Sequence, residues 1–211
     1  MNSKKVELLG VIIDEKLNFN DHIDKITKKA KNYTSSLSRI LHYLNDTNSS
    51  ILFNTFFYSC FSYCPLIWMC STKTANNRIN KIHKRALRLK CGVNNANFTE
   101  LLAINEIQSI HIRNIRYLMS EMYPSLNKKN PKFMWNMFEK NPRNYLLRNY
   151  NLVKIPKPKT ESFGYRSLKF RGPMLWNSLP PEIKSSDNIF IFKKIIKQWN
   201  APLCNCNLCR N

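Results

Sequence analysis

From residue 20 onward, apolar positions recur mostly in steps of three and four, the period of a helix with one buried face. Ile23, Ile26, Ala30, Tyr33, Leu37, Ile40 and Leu44 predict one long helix, with Asp21 as its N-cap and Asp24 adding negative charge to the first turn. Residues 45–48 break the pattern. Thr47 or Asn48 is placed to cap a second helix through Ile51, Phe53, Phe56, Phe57 and Tyr58, which Pro65 stops. That helix is apolar nearly all round and belongs in the middle of a bundle. Residues 75–91 predict a third, with Ile79, Ile82, Ala86 and Leu89 on one stripe and Gly92 as its C-terminal stop. Residues 99–102 then open a short helix. Asn105 is placed to cap a longer one with Ile107, Ile110, Ile115, Leu118, Met119 and Met122 inside, Arg113 and Arg116 outside, and Pro124 at its end. A last helix, capped by Ser186 or Asp187, turns Ile189, Phe192, Ile195, Ile196 and Trp199 inward and Lys193, Lys194 and Lys197 outward.

Only the start has β texture. Residues 6–13, VELLGVII, form a β-rich run around a central glycine and predict a strand entering or leaving a turn. From Lys128 the texture changes again: prolines at 131, 142, 156 and 158 punctuate a stretch in which helical periodicity is weak. The expected fold class is therefore mainly α. A remnant strand over 1–20 leads into a helical bundle over 21–127, and a smaller, irregular α(+β) C-terminal domain follows over 128–211. Four glycines in 211 residues leave little material for tight hairpins or phosphate-cradling loops, which agrees with helices.

Charge changes the picture. Thirty-four Lys and Arg against 13 Asp and Glu give a formal charge of +21, spread along the chain rather than gathered in a tail. With 43% hydrophobic residues this is no disordered polycation, and a polyanion is the expected partner. On the 75–91 helix, Arg78, Lys81, Arg85 and Arg88 form a stripe that Lys84 widens, and no Asp or Glu within those residues neutralises it. The first helix carries Lys25, Lys28, Lys29, Lys31 and Arg39 on its outer side. Such rows are either solvated faces or phosphate sites. Between Lys128 and Lys184, 13 basic residues and 3 acidic ones interleave with Phe133, Trp135, Phe138, Tyr145, Tyr150, Phe163, Tyr165, Phe170 and Trp176. That mixture suits an unpaired nucleic-acid strand, through phosphate contacts and base stacking, or else the aromatics form a small core.

Other chemistry is sparse. Residues 51–68 are the one candidate membrane segment, but Asn54, several hydroxyl residues and Pro65 interrupt it, so a buried helix is the better reading. No apolar run suited to a secretory signal precedes Asp14, and the expectation is an intracellular protein of cytoplasm or nucleus. Seven cysteines without framework spacing predict reduced thiols. Cys60 and Cys64, at i and i+4, read as small buried hydrophobes, and His111 reads as structural. Cys204, Cys206 and Cys209 would suit Zn²⁺, with a fourth ligand from Cys70, Cys91, a histidine or a residue beyond this chain. The sequence contains no Gly-rich phosphate loop, no His-Glu-x-x-His and no nucleophile with a recognisable base, so it is not expected to be an enzyme alone.

Three stretches in this order resemble the C-terminal part of the polyprotein of non-LTR, LINE or jockey-like retrotransposons, downstream of the reverse-transcriptase palm. They are LGVIIDEKLNFNDHI (residues 9–23), NKIHKRALRLKCG (80–92, preceded by 63–68) and SFGYRSLKFRGPMLWNSLPPEIKSSDNIFIFKKIIKQW (162–199), the last followed by the CNCNLC tail. The resemblance implies a thumb-like bundle that holds template and growing strand, RNA or DNA. It places Leu9, Gly10 and Val11 in a primer-grip-like hairpin and Lys28, Lys81, Arg85 and Arg88 on the thumb. Arg166, Lys169, Arg171, Gly172, Pro173, Trp176 and Asn177 match the third motif. Self-association, or pairing with a full-length element polymerase, is the further partner expectation. The alternatives are a helical module that docks on a partner protein through the Ile23 to Leu44 stripe, its charge only solubilising, and a non-functional remnant of a truncated element. The polymerase chemistry of that family uses two Mg²⁺ ions on paired aspartates, and this sequence has no Asp-Asp pair. The expectation is thus a truncated reading frame, inactive by itself, in which Mg²⁺ would belong to the missing palm. The family's tails usually read Cys-Cys-His-Cys, and no His follows Cys206 or Cys209 here.

Overall fold

A computed structural model of the chain describes residues 5–140, 152–199 and 201–202. It is mainly helical behind a two-stranded antiparallel hairpin, β1 (Lys5–Leu8) and β2 (Val11–Asp14), paired Lys5 to Asp14 through Leu8 to Val11. The predicted strand is thus two strands. Leu9 and Gly10 both take positive φ, 47° and 82°, the backbone pattern of a two-residue turn that fits strand twist. Asp14 then organises the following loop, accepting the amide N–H of Lys16, Asn18 and Phe19.

Helix α1 (Asn20–Leu37) begins after a left-handed Phe19 without a side-chain cap, so Asp21 is a first-turn residue rather than the N-cap. It stops at Leu37 instead of reaching Leu44, and a 3-10 turn, Leu41–Tyr43, follows. Serines at 35, 36 and 38 end it, because short hydroxyl side chains compete for nearby backbone groups. Asn45, not Thr47 or Asn48, caps α2 (Asp46–Leu52). A π-helical stretch, Phe53–Tyr58, and a last turn α3 (Ser59–Ser62) continue it into one rod over residues 46–62. This rod is not apolar all round in place. Phe53, Phe57, Tyr58, Cys60 and Phe61 are buried, while Ile51 and Phe56 remain exposed. The rod ends at Ser62, and Pro65 opens the short α4 (Pro65–Trp68) from position N1, where it lacks no needed donor.

Thr72 caps α5 (Lys73–Cys91), and Gly92 closes it in the left-handed conformation at φ 67°. Its buried stripe is Ala75, Ile79, His83, Ala86 and Leu87, rotated from the expected one, so that Leu89 is 40% exposed. An Asn97–Glu100 capping box opens α6 (Phe98–Ile104). Asn105 ends that helix instead of starting the next, bonding back to the Leu101 carbonyl. Ser109 accepts the Ile112 amide N–H to start α7 (Ile110–Leu126), and Pro124 lies inside its last turn rather than terminating it. The core of the first unit gathers Ile23, Phe57, Trp68, Ile79, Leu87 and Leu101.

The chain divides into two compact units, whose described residues are those up to Arg113 and those from Asn114 to Pro202. The division falls inside α7, upstream of the composition change at Lys128, because the C-terminal half of that helix packs with later residues. The second unit continues with α8 (Lys132–Trp135), a π-helical turn Glu161–Tyr165, α9 (Leu168–Asn177), α10 (Pro181–Lys184) and α11 (Ile189–Ile196). Asn188, not Ser186 or Asp187, caps α11. Tyr123 and Trp176 both stack on Phe192, at 4.6 and 5.8 Å. A Cβ on Gly172 would come 2.9 Å from Phe138, so only glycine lets α9 approach this closely. Asn177 holds Val153 through both its backbone groups, at 2.9 and 2.8 Å. The Gly172, Pro173, Trp176 and Asn177 positions of the third motif are therefore core-building residues. Among the described residues no helix is long and apolar enough to cross a membrane.

Candidate nucleic-acid interface

The relation of α1 to α5 follows from their common neighbour, the 46–62 rod. Tyr33 meets Phe56 edge-on at 5.6 Å, and Lys29 lies within electrostatic reach of Cys60, so α1 runs antiparallel to the rod. Tyr58 bonds His83 at 2.8 Å and Lys90 lies 6.0 Å over the Phe53 ring, so α5 is antiparallel to it as well. Helices α1 and α5 therefore run parallel, and they pack directly on each other.

Near the start of both, Arg78 is clamped between Asp24 and Asn20. Arg78 is thereby neutralised, a partner that residues 75–91 alone do not supply. Two turns further on, the same flanks present Lys31 (i+7 from Asp24) and Arg85 (i+7 from Arg78), with Lys28 and Lys81 bordering them. All four are exposed, and none is in an ion pair among the described residues. The seam begins with opposite charges in contact and continues with like charges. Lys31 was read with Lys25, Lys28, Lys29 and Arg39 as part of the basic outer side of the first helix, not as a nucleic-acid contact. Its signal lay in the seven-residue step from Asp24.

The other predicted cations divide by what they touch. Arg88 donates to the Ala96 carbonyl at 3.2 Å and so ties down the loop after α5, while Lys84 is half-buried. Arg113, expected to point away from the core, lies 4.0 Å over the Tyr58 ring, and Arg116 donates to the Trp199 carbonyl at 2.9 Å. Burial holds the Arg116 pKa below its ordinary value. In the second unit Lys169 is exposed, Arg166 is half-buried, and Arg171 donates to the Tyr165 carbonyl at 3.1 Å. Phe138 and Trp176 are buried while Phe133, Phe163 and Tyr165 are exposed, so the described aromatics of this stretch split between core and surface; Tyr145 and Tyr150 lie outside the described residues.

Leu9 and Gly10 form the tip of the hairpin and Val11 is buried beneath it. Tyr63 donates to the Leu9 carbonyl at 2.7 Å, bringing the 63–68 segment against the first of the three resembling stretches. Cys204, Cys206 and Cys209 lie outside the described residues. Of their suggested partners, Cys91 accepts from Asn105 at 2.8 Å and Cys70 is half-buried. Cys60 is buried among hydrophobic neighbours, and burial raises its thiol pKa. Among the described residues no group of three His, Cys, Asp or Glu is placed to hold a metal ion. No family model, curated protein or solved structure matches the chain.

Proposed function

We propose that this chain is the nucleic-acid-holding, thumb-like C-terminal part of a reverse transcriptase of the non-LTR, jockey-like kind, gripping a template–primer duplex through basic helix faces without polymerase chemistry of its own. The observation that carries the reading is the seam of α1 and α5, where Lys28, Lys31, Lys81 and Arg85 stand exposed and unpaired by any described carboxylate. Packing like charges side by side is unfavourable unless an anion joins them. Helix turns repeat about every 5.4 Å, so the two parallel rows offer cations at short, regular intervals to a backbone that repeats its charge. The hairpin tip at Leu9 and Gly10, tethered by Tyr63, adds a defined loop in the same unit, which supports the primer-grip comparison. The two Mg²⁺ ions of polymerase chemistry would sit on the palm's aspartate pair, which this sequence does not contain.

A protein-docking role for the Ile23 to Leu44 stripe is not favoured. Ile23, Ile26, Ala30, Leu37 and Leu41 are already buried within the first unit, and Ile40 faces solvent.

The test is titration of the purified chain with a recessed RNA–DNA duplex, a single strand and heparin from low to moderate salt. The recessed duplex is expected to keep an advantage as salt rises. Lys81→Glu with Arg85→Glu should weaken duplex binding and lower the slope of log K against log salt by about 2, at roughly 0.9 per lost phosphate contact. Parallel loss of all three ligands, or no change in slope, would remove the thumb reading and leave only a generic positive field.

A further inference from the structure

Helix α11 has a second face that neither the bundle nor the seam uses. Its inner side, Phe192 and Ile196, is buried, with Phe192 stacked on Tyr123 and Trp176. On the opposite side Phe190, Lys193, Lys194 and Lys197 stand at i, i+3, i+4 and i+7, one stripe along the helix. The Phe190 side chain is 81% exposed, the three lysines are exposed, and none of the three is in an ion pair among the described residues. The nearest carboxylate in sequence, Asp187, precedes the Asn188 cap, lies within electrostatic reach of Tyr123, and forms no ion pair with the three lysines among the described residues. A single exposed phenyl ring is ordinary on a protein surface. A ring at the head of three aligned, unneutralised cations is a more specific combination.

We propose that this stripe binds an unpaired nucleic-acid strand, with one base stacked on Phe190 and successive phosphates on Lys193, Lys194 and Lys197. The inference rests on the reading of the chain as a nucleic-acid binder, but it concerns a different helix, in the other unit, and a different form of the ligand. Stacking needs an open base face, so a duplex with its bases paired cannot use Phe190, whereas a single strand uses ring and lysines together. The stripe covers about 10 Å of helix from Phe190 to Lys197, at 1.5 Å per residue. An acidic membrane surface fits less well, because a helix lying in that interface buries a continuous apolar face. The apolar face of α11 is already packed on its own unit.

The experiment measures a fluorescent oligothymidylate, a blunt duplex and anionic phosphatidylserine vesicles against the full chain and three variants: Phe190→Ala, Phe190→Tyr and a triple Lys193→Ala, Lys194→Ala, Lys197→Ala. All four positions are exposed, and circular dichroism checks that the variants stay folded. Phe190→Ala is expected to weaken oligothymidylate binding at least about fivefold and to leave duplex binding unchanged, with Phe190→Tyr restoring it. The triple variant should lower the single-strand salt slope by about 2, at roughly 0.7 per contact. Wild-type single-strand affinity in both Phe190→Ala and the triple variant overturns the proposal. If duplex binding and its Lys81 and Arg85 dependence survive that result, the thumb reading stands without α11. Vesicle binding that is lost with Phe190, while single-strand binding is not, also overturns the proposal and makes the stripe a lipid contact.

Discussion

His83 shows how a basic helix hides one of its own titratable groups. It sits on α5 between Lys81 and Arg85 in sequence, yet it is wholly buried, bonded to Tyr58 and ringed by Phe57 and Phe98 at 5.5 and 5.4 Å. Burial, reinforced by the Arg113 guanidinium, pushes its pKa down to about 3. Burial raises the Tyr58 hydroxyl in turn, so the pair is neutral at physiological pH. An unfolded histidine titrates near 6.5, so between about 3 and 6.5 the unfolded state binds more protons and stability rises with pH. The contribution of His83 is complete above about 6.5 and is lost as pH falls, by about 1.4 kcal/mol per unit. His22, lowered by burial and Lys25, adds to the same trend. Urea unfolding followed at pH 7 and pH 5 should therefore show a drop of roughly 2 kcal/mol. A His83→Phe chain should show a visibly flatter profile. Equal pH slopes in both chains would mean that the histidine is solvated in the native state.

At the scale of elements, the hairpin makes the sharpest claim. Leu9 holds φ 47°, a conformation that costs an L-residue other than Gly or Asn roughly 1–2 kcal/mol, and its side chain is almost fully exposed. Leu9→Asn is expected to raise the melting temperature, since Asn-Gly is the preferred pair for such turns, while Gly10→Ala should lower it. The Tyr63 bond is made to a backbone oxygen, so neither change removes it. A drop with Leu9→Asn would show that the leucine side chain makes a stabilising contact. How far the elements were legible follows from the same kind of residue. Spacing revealed the main helices and the Gly92 stop, because burial enforces the helical period. It misplaced the α5 stripe because a histidine was counted as polar when its ring packs as an aromatic. It ran α1 on to Leu44 because Ile40 and Leu44 continue the period beyond the serines that end the helix. Asn105 misled because asparagine bonds backbone groups at either end of a helix, and Pro124 because a proline in a last turn does not forbid the turn. Clamping of Arg78 by Asp24 and Asn20 was not legible, since it joins residues 54 and 58 positions apart.

The whole molecule carries +21, and that excess acts on stability and on binding with opposite dependence on salt. Without a ligand, like charges crowd the folded chain more than the unfolded one, so screening should stabilise it. Screening lengths shorten from about 30 Å at 0.01 M salt to about 8 Å at 0.15 M, which spans the distances between cations on one helix face. The melting temperature of the free chain is therefore expected to rise over that range. With a saturating polyanion the sign reverses. A ligand present at about 100 times its Kd adds roughly 2.7 kcal/mol, but its affinity falls steeply as salt releases the phosphates. Thermal melts of the free chain and of the chain with a recessed RNA–DNA duplex should thus converge as salt rises, the first climbing and the second descending. Charge reversal at Lys81 and Arg85 should raise the free-chain curve at low salt and lower the bound one, because the same two side chains repel their neighbours in one state and hold phosphate in the other. A bound curve that is insensitive to those substitutions would place the phosphate contacts away from the α1–α5 seam.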